Sequence, residues 1–297
     1  MKRRLFLKHS LITTLSAAMA PPALFGAANK ANRFTILHTN DMHSRVEPFP
    51  LNDGRFPGMG GMAKRASLIN QFRKSTENIL LLDSGDIFQG TPYFNFFGGE
   101  VEFKLMSQMG YDAATIGNHD FDAGLEGLNK QLPHATFQFI SANYDFSKTI
   151  MNDAVVPYKI FKKGKIKVGV FGLGVQLENL VSKELYGDTK YFDPVGVTTE
   201  MVSELEPKCD LIICLSHLGY KYESSKISDI SLAEQVNGID IILGGHSHTF
   251  LDEPTLIKNG EGHQTIINQV GFGGIRLGKI EFSFEKGKRV VGGYDMV

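Results

Sequence analysis

Nine short apolar runs set the limits on what this chain can become: "RFTILHT", "NILLLD", "DAATIG", "FQFISA", "KIKVGVFGL", "CDLIICLS", "GIDIILGG", "QTIINQVG" and "GKIEFSFE". Between many of them lie segments with helical spacing, among them "GGMAKRASLINQFRKS", "EVEFKLMSQM", "GLEGLNKQL" and "ISLAEQVN". That alternation predicts an α/β fold with strands inside and helices outside. "KIFKKGKIKVGV" reads as a hairpin about Gly164, which makes the sheet mixed. The runs after Thr255 have no helices between them, which predicts antiparallel additions. No linker rich in Pro, Gly or Ser divides the chain after residue 28, so residues 29–297 are expected to form one domain.

The first 28 residues stand apart. A basic start, a modestly apolar stretch from Leu11 to Ala20 and small residues near Ala28 have the layout of a secretory signal. Within it, Arg3-Arg4-Leu5-Phe6-Leu7-Lys8 resembles the twin-arginine export signal, an address rather than an anchor. Cleavage after Ala28 fits better than after Ala20, because Pro21 follows Ala20 directly. The expected destination is the periplasm or another exported location. The apolar stretch is too short to span a membrane stably.

Charge excludes one large class of partner. Residues 1–28 hold four basic side chains (Lys2, Arg3, Arg4, Lys8) and no acid, so their removal takes the formal charge from -1 to -5. A mildly acidic domain has no footprint for a nucleic-acid polymer. The two cysteines, Cys209 and Cys214, lie five residues apart on an extended run, roughly 16 Å between Cα atoms, which forbids a disulfide. Both are expected to be small core residues.

The chemistry gathers where the apolar runs end. "FTILHTNDMH" ends in Asp41 and His43, and "ILLLDSGD" in Asp83 and Asp86. "AATIGNHDFD" ends in Asn118, His119 and Asp122, "LIICLSH" in His217, and "IDIILGGHSH" in His246 and His248. In an α/β sheet the carboxyl ends of strands line one edge, so these loops can converge there. Asp41, Asp86, Asn118, His43, His217, His246 and His248 are hard-to-borderline donors suited to Zn, Mn, Fe or Co. They are too many for one tetrahedral ion and about right for two. Two such cations lower the pKa of a trapped water toward about 7 and clamp phosphoryl oxygens during in-line attack. A single D-x-H or H-x-H pair would say little; the signal is that every polar turn follows an apolar run. His38, inside its run, is expected to be a core histidine. His134 and His263 read as loop residues, while Asp83 and Asp120 read as turn or supporting groups outside the ligand set.

In order, D-x-H at 41–43, G-D at 85–86, G-N-H-D at 117–120, His217 and G-H-x-H at 245–248 resemble the calcineurin-like metallophosphatases. Within them, "ILHTNDMHS", "GDIFQGTP", "GNHDFD" and "LSHLGY" are similar to the 5'-nucleotidase branch, which also holds 2',3'-cyclic phosphodiesterases and UDP-sugar hydrolases. The resemblance covers residues 33 to 290 and implies a four-layer α/β/β/α sandwich with two mixed β-sheets and a dimetal centre at one edge. It implies that Asp41, His43 and His248 hold a first metal, Asn118, His217 and His246 a second, and that Asp86 bridges them. Some members carry Gln at the position of His248. Asn118 would also touch substrate phosphate. His119 would face the phosphoryl group and assist the leaving oxygen while a metal-bound hydroxide attacks in line, and Asp122 would hold the His119 ring and favour its protonated form.

Exported 5'-nucleotidases of this branch usually carry a second, nucleoside-gripping domain that has no counterpart before Val297. The expected activity is hydrolysis of small-molecule phosphate esters, nucleotides first. Competing expectations are a separate nucleoside-binding chain, a thiosulfohydrolase-like enzyme, and a metal-binding or docking protein on an inactive scaffold. "FQGTPYFNFFGG" places Tyr93, Phe94, Phe96 and Phe97 beside the Asp86 loop, either packed beneath the helix beginning near Glu100 or exposed as a contact patch.

Overall fold

A computed structural model describes residues 33–285 and 288–297. The expected signal over 1–28 lies outside them. Two six-stranded mixed sheets face each other. The first contains, in chain order, β1 (Arg33–Thr39), β2 (Ile79–Asp83), β3 (Ala113–Ala114), β4 (Gln138–Phe139), β13 (Gly278–Glu285) and β14 (Lys288–Met296), arranged β14-β13-β1-β2-β3-β4. The second contains β6 (Tyr158–Lys163), β7 (Ile166–Leu173), β9 (Leu211–Ser216), β10 (Ile241–Gly244), β11 (Thr255–Lys258) and β12 (Gln264–Asn268), arranged β11-β12-β10-β9-β7-β6. A small ribbon pairs β5 (Tyr144–Asp145) with β8 (Lys190–Tyr191).

Period-two alternation explains the layers. Phe34, Ile36, Leu80 and Leu82 of the first sheet meet Val168, Val170, Ile213 and Leu243 of the second in one buried cluster. The intervening residues point outward. Leu37 and Leu81 pack with the helices α1 (Met62–Ser75), α3 (Glu100–Met109) and α4 (Gly124–Gln131). Ile212, Cys214 and Ile242 pack with α6 (Pro194–Leu205) and α7 (Asp229–Gln235). The result is an α/β/β/α sandwich whose central strands are apolar on both faces. Each fully buried Leu, Ile or Phe contributes roughly 1.5–3 kcal/mol.

Register aligns the strand exits. Thr39 pairs with Asp83 and Asp83 with Ala114 in the first sheet; Leu173 pairs with Ser216 and Ser216 with Gly244 in the second. Because β1, β2 and β3 run parallel, as do β7, β9 and β10, the polar loops that follow leave from one level.

Several local expectations needed revision. Helix α2 (Pro92–Phe97) occupies the aromatic stretch: Thr91 caps it, Pro92 supplies its first turn and Gly98 stops it with a left-handed backbone, φ 61°. Phe94 packs on Phe88, with ring centroids 5.2 Å apart, while Phe96 and Phe97 stay exposed. Helix α6 went unforeseen because Val195, Val197, Thr198, Thr199 and Val202 carry strand-like propensity; its start was nonetheless legible in Asp193-Pro194, where the Asp193 carboxylate caps Gly196 N–H at 2.8 Å. The "DAATIG" run contributes only two strand residues. β11, β13 and β14 are antiparallel additions, but β12 runs parallel to β10, because the chain reverses once between β10 and β11 and again in the β11–β12 hairpin. The hairpin at Gly164 forms as expected, with φ 63°. His134 ends a short 3-10 turn, and both cysteines are free, Cys214 buried and Cys209 half-buried.

Candidate metal centre

The five exits converge on one spot. Asp41, His43 and His248 form one group and Asp86, His217 and His246 a second, with the donor atoms of each group within 4.8 Å of one another. His248 Nε2 lies 3.3 Å from Asp41 Oδ1, and His43 Nε2 lies 2.9 Å from His248 Nε2. Asp86 joins the groups: its Oδ2 is 3.1 Å from His217 Nε2 and 3.9 Å from His43 Nε2. The Asn118 exit reaches the same carboxylate through the next residue, His119, whose backbone N–H donates to Asp86 Oδ1 at 2.7 Å. Asn118 Oδ1 is buried without a hydrogen-bond partner, and His217 Nε2 meets Asp86 Oδ2 as an ion pair without an aligned hydrogen bond. Orphan donors and acceptors are costly in a dry interior, and these fit the coordination of a cation.

The backbone is bent to achieve this. Asp41, His43, Asp86, His246 and His248 all have left-handed backbones, with φ of 51°, 47°, 57°, 71° and 52°. Such conformations cost on the order of 1–3 kcal/mol each and persist only when neighbouring structure enforces them. The enforcement is close packing. A Cβ on Gly117 would sit 2.2 Å from Asp86 Oδ1, and one on Gly245 would come within 2.9 Å of the Ser84 carbonyl. Buried carboxylates stitch the loops together. Asp120 accepts from Gly117 N–H (2.8 Å), Asp86 N–H (3.0 Å), Ile87 N–H (2.9 Å) and Phe88 N–H (3.2 Å). Asp83 accepts from the Thr39 hydroxyl (2.6 Å) and Gly85 N–H (2.9 Å). Asp120 therefore faces backbone, and Asp83 a hydroxyl and backbone, and neither belongs to the two donor groups. Asp41 also accepts from His246 N–H at 3.0 Å, and His217 Nδ1–H donates to the Ser84 carbonyl at 2.7 Å.

One side of the centre is open. The His119 and His248 side chains are 38% and 40% exposed, against 12% for His43 and none for His217. His119 Nδ1–H donates to Asp122 Oδ2 at 2.9 Å, which leaves Nε2 as the other proton-carrying atom.

Known proteins share this frame. The calcineurin-like phosphoesterase family matches residues 34–250. The chain belongs to that family.

Among relatives, it is 34% identical to the snake venom 5'-nucleotidase of Gloydius brevicauda over 91% of its own length and 48% of that protein. It is 33% identical to the 5'-nucleotidase of Vibrio cholerae over its whole length and 58% of that protein. The solved 5'-nucleotidase precursor from Thermus thermophilus superposes with a TM-score of 0.79 at 33% identity, covering 89% of this chain and 54% of that one. The chain thus spans about half the length of these relatives.

Electrostatics in this calcineurin-like phosphoesterase follow from burying carboxylates and imidazoles side by side. Burial opposes charge on His217, yet the adjacent Asp86 carboxylate outweighs it and pushes the imidazole pKa up to about 10. Burial likewise opposes Asp86 ionisation, but His217, His43 and His119 hold the carboxyl well below its usual range. Burial, reinforced by charge on His217, depresses His246 to about 4. Burial also raises Asp83 and Asp120 to about 7. Asp122 raises His119 through its hydrogen bond. Together the two groups fit a divalent dimetal centre.

His38 is wholly buried, accepts from Asn268 Nδ2 at 2.9 Å and stands apart from both groups, as expected of a core histidine. Sequence inspection missed Gln269, whose Oε1 accepts from Thr249 N–H at 2.5 Å and whose Nε2 donates to the Gly245 carbonyl at 2.6 Å. It bridges the His246–His248 turn. The same criterion, a polar residue where an apolar run ends, would have flagged it in "QTIINQ". The Ser84 carbonyl left no side-chain signal.

Proposed function

We propose that this chain is an exported dimetal phosphoesterase of the 5'-nucleotidase type, acting on nucleotides. Asp41, His43 and His248 hold one cation, Asn118, His217 and His246 the other, and Asp86 is shared. The observation that carries this reading is that a single carboxylate oxygen, Asp86 Oδ2, faces a histidine of each group. Two divalent ions there would supply Lewis acidity to a phosphoryl group and to water; Mn, Zn, Co and Fe all suit the donors.

The protein's own groups do the positioning. In this reading Asn118, whose buried Oδ1 has no hydrogen-bond partner, also touches a phosphoryl oxygen. His119, on the open side, presents Nε2 to the leaving oxygen and delivers a proton there, held by Asp122 through Nδ1. Intact His119 and Asp122 favour an enzyme over a docking protein on an inactive scaffold. A nucleotide substrate is supported by the names of the relatives, and the expected export by the twin-arginine-like pattern over residues 1–28, with the catalytic domain over 29–297. No described helix is long and apolar enough to cross a membrane.

The test is hydrolysis by the full chain with added Mn or Zn. It compares p-nitrophenyl phosphate, bis-p-nitrophenyl phosphate, AMP and 2',3'-cyclic AMP. Turnover of AMP far above the aryl esters supports the nucleotidase reading. Inertness toward all four defeats it and turns attention to thiosulfohydrolase chemistry. A second reading rests on Phe96 and Phe97, 81% and 51% exposed on the helix after the Asp86 loop. They offer an apolar seat for a separate nucleoside-binding chain, in which case slow aryl-ester turnover alone is expected.

A further inference from the structure

The connection between β12 and β13 contributes nothing to the donor set, yet it is strapped to both ends of one group. Asn40 Oδ1 accepts from Val270 N–H at 3.0 Å, and Asn40 Nδ2 donates to the Gly271 carbonyl at 2.6 Å. Gly273 N–H donates to the Asp41 carbonyl at 2.7 Å, and Gly271 N–H to the Thr249 carbonyl at 2.9 Å. The loop is thereby tied beside Asp41 on one side and beside His248 on the other. Its glycines are required: Gly271 and Gly273 have φ of 81° and 60°, and a Cβ on Gly271 would lie 2.1 Å from the Phe250 ring.

What the loop presents is Phe272. Its ring stacks on the His248 imidazole, with centroids 5.0 Å apart and planes 19° from parallel. Phe49, Phe56 and Phe250 meet Phe272 edge-on at 6.0, 5.6 and 6.0 Å, which leaves it little room to slide. His248 depends on such a brace. Its backbone is left-handed, its side chain is 40% exposed, and among the described residues its Nδ1 makes no hydrogen bond. His217 is the contrast: wholly buried, with Nδ1–H anchored on the Ser84 carbonyl. A metal-binding histidine is normally oriented by a partner on its second nitrogen, and losing that partner typically weakens metal binding 10- to 100-fold.

We propose that Phe272 is a positioning residue for His248, its stacked ring replacing the hydrogen bond that orients His217, so that the Gly271–Gly274 loop sets the cation affinity of the Asp41–His43–His248 group. The proposal rests on reading that group as a metal site. In consequence the two sites are unequal: in the Asp86–His217–His246 group the His217 ring is anchored by hydrogen bonding, and the Phe272-braced group responds to the aromatic cluster.

The experiment is titration of the metal-free full chain with Mn2+, following free ion by EPR, for wild type, Phe272→Leu, Phe272→Tyr and Phe272→Trp. In Phe272→Leu one of the two Mn2+ equivalents should weaken about 10-fold or more while the other holds, and the two aromatic variants should restore it. Thermal unfolding without metal identifies a variant that has simply lost its fold. The second arm adds Phe272→Leu to His248→Ala: if Phe272 acts through His248, the double variant binds Mn2+ no worse than His248→Ala alone. Two unmoved equivalents, equal weakening of both, failure of rescue by Tyr and Trp, or additive losses in the double variant would each overturn the role of Phe272. A wild type that takes up fewer than two equivalents would instead overturn the underlying metal-site reading.

Discussion

His119 Nδ1 lies 2.9 Å from Asp122 Oδ2, three residues along the same loop, and this contact raises the imidazole pKa. If His119 is the general acid proposed above, it must be protonated, so turnover should be lost as pH rises through that pKa. Asp122→Asn should therefore shift the alkaline limb of kcat to lower pH, with metal content unchanged. His119→Asn should lower kcat by about 10²–10⁴-fold. An alkaline limb that stays put in Asp122→Asn would remove Asp122 from this role.

Metal uptake should release protons. In the metal-free protein His217 stays protonated up to about pH 10, whereas a ligating imidazole must be neutral. Apparent affinity at the Asp86–His217–His246 group should rise about tenfold per pH unit below that value. Calorimetry in two buffers of different ionisation enthalpy measures the release directly. Equal heats in both would contradict the protonated state of His217.

Gly117 is required by space rather than by dihedral. A Cβ there would meet Asp86 Oδ1 at 2.2 Å, Asp86 N at 2.5 Å and His217 Cε1 at 2.7 Å, two of them in a loop whose backbone is already strained. Gly117→Ala should leave far-UV circular dichroism unchanged while lowering turnover about 10²-fold, the usual effect of displacing a reacting group by about 1 Å. Wild-type turnover in this variant would show that the loop gives way freely.

His38 makes an acid-stability prediction. Burial lowers its pKa to about 3, so between pH 6.5 and 3 the unfolded chain binds a proton that the folded chain refuses. Stability from this group is complete above pH 6.5 and declines as pH falls toward 3. From pH 7 to 5 the loss should be about 2 kcal/mol. Urea unfolding at both pH values should show a smaller decline for His38→Gln than for wild type, and equal declines would refute the assignment.

Exposure separates two roles for the aromatic helix. Phe96 and Phe97 are largely solvated, so replacing both by Ser should leave thermal stability within about 0.5 kcal/mol and spare hydrolysis of p-nitrophenyl phosphate. If the helix seats a partner chain, that variant should lose the partner in co-purification. Unfolding of the double variant would mean that the rings carry packing energy after all.

Much of the molecule was legible beforehand because the apolar runs end where the chemistry begins. Continuous apolar runs of strand length specified strands buried on both faces, and the polar residues that terminate them marked one sheet edge. Asp41, His43, Asp86, His217, His246 and His248 gather there because register sets Thr39 level with Asp83 and Ser216 level with Gly244. Helix α6 was hidden by its β-branched residues, which tertiary burial against β7 and β9 overrides. Helix α2 was hidden by a run of aromatics whose cap, Thr91-Pro92, carried the signal instead.

The sequence by itself determined which side chains are available to the site and the order in which the chain delivers them, since both follow from local residue type and spacing. Only the tertiary structure decided how each donor is aimed. The Ser84 carbonyl behind His217, the Asp120 carboxylate beneath the Asp86 loop and the Phe272 ring against His248 all come from distant segments. A backbone carbonyl or a stacking ring has no pattern along the chain that announces its partner. Its role exists only once two sheets, packed face to face, bring their loops to the same edge.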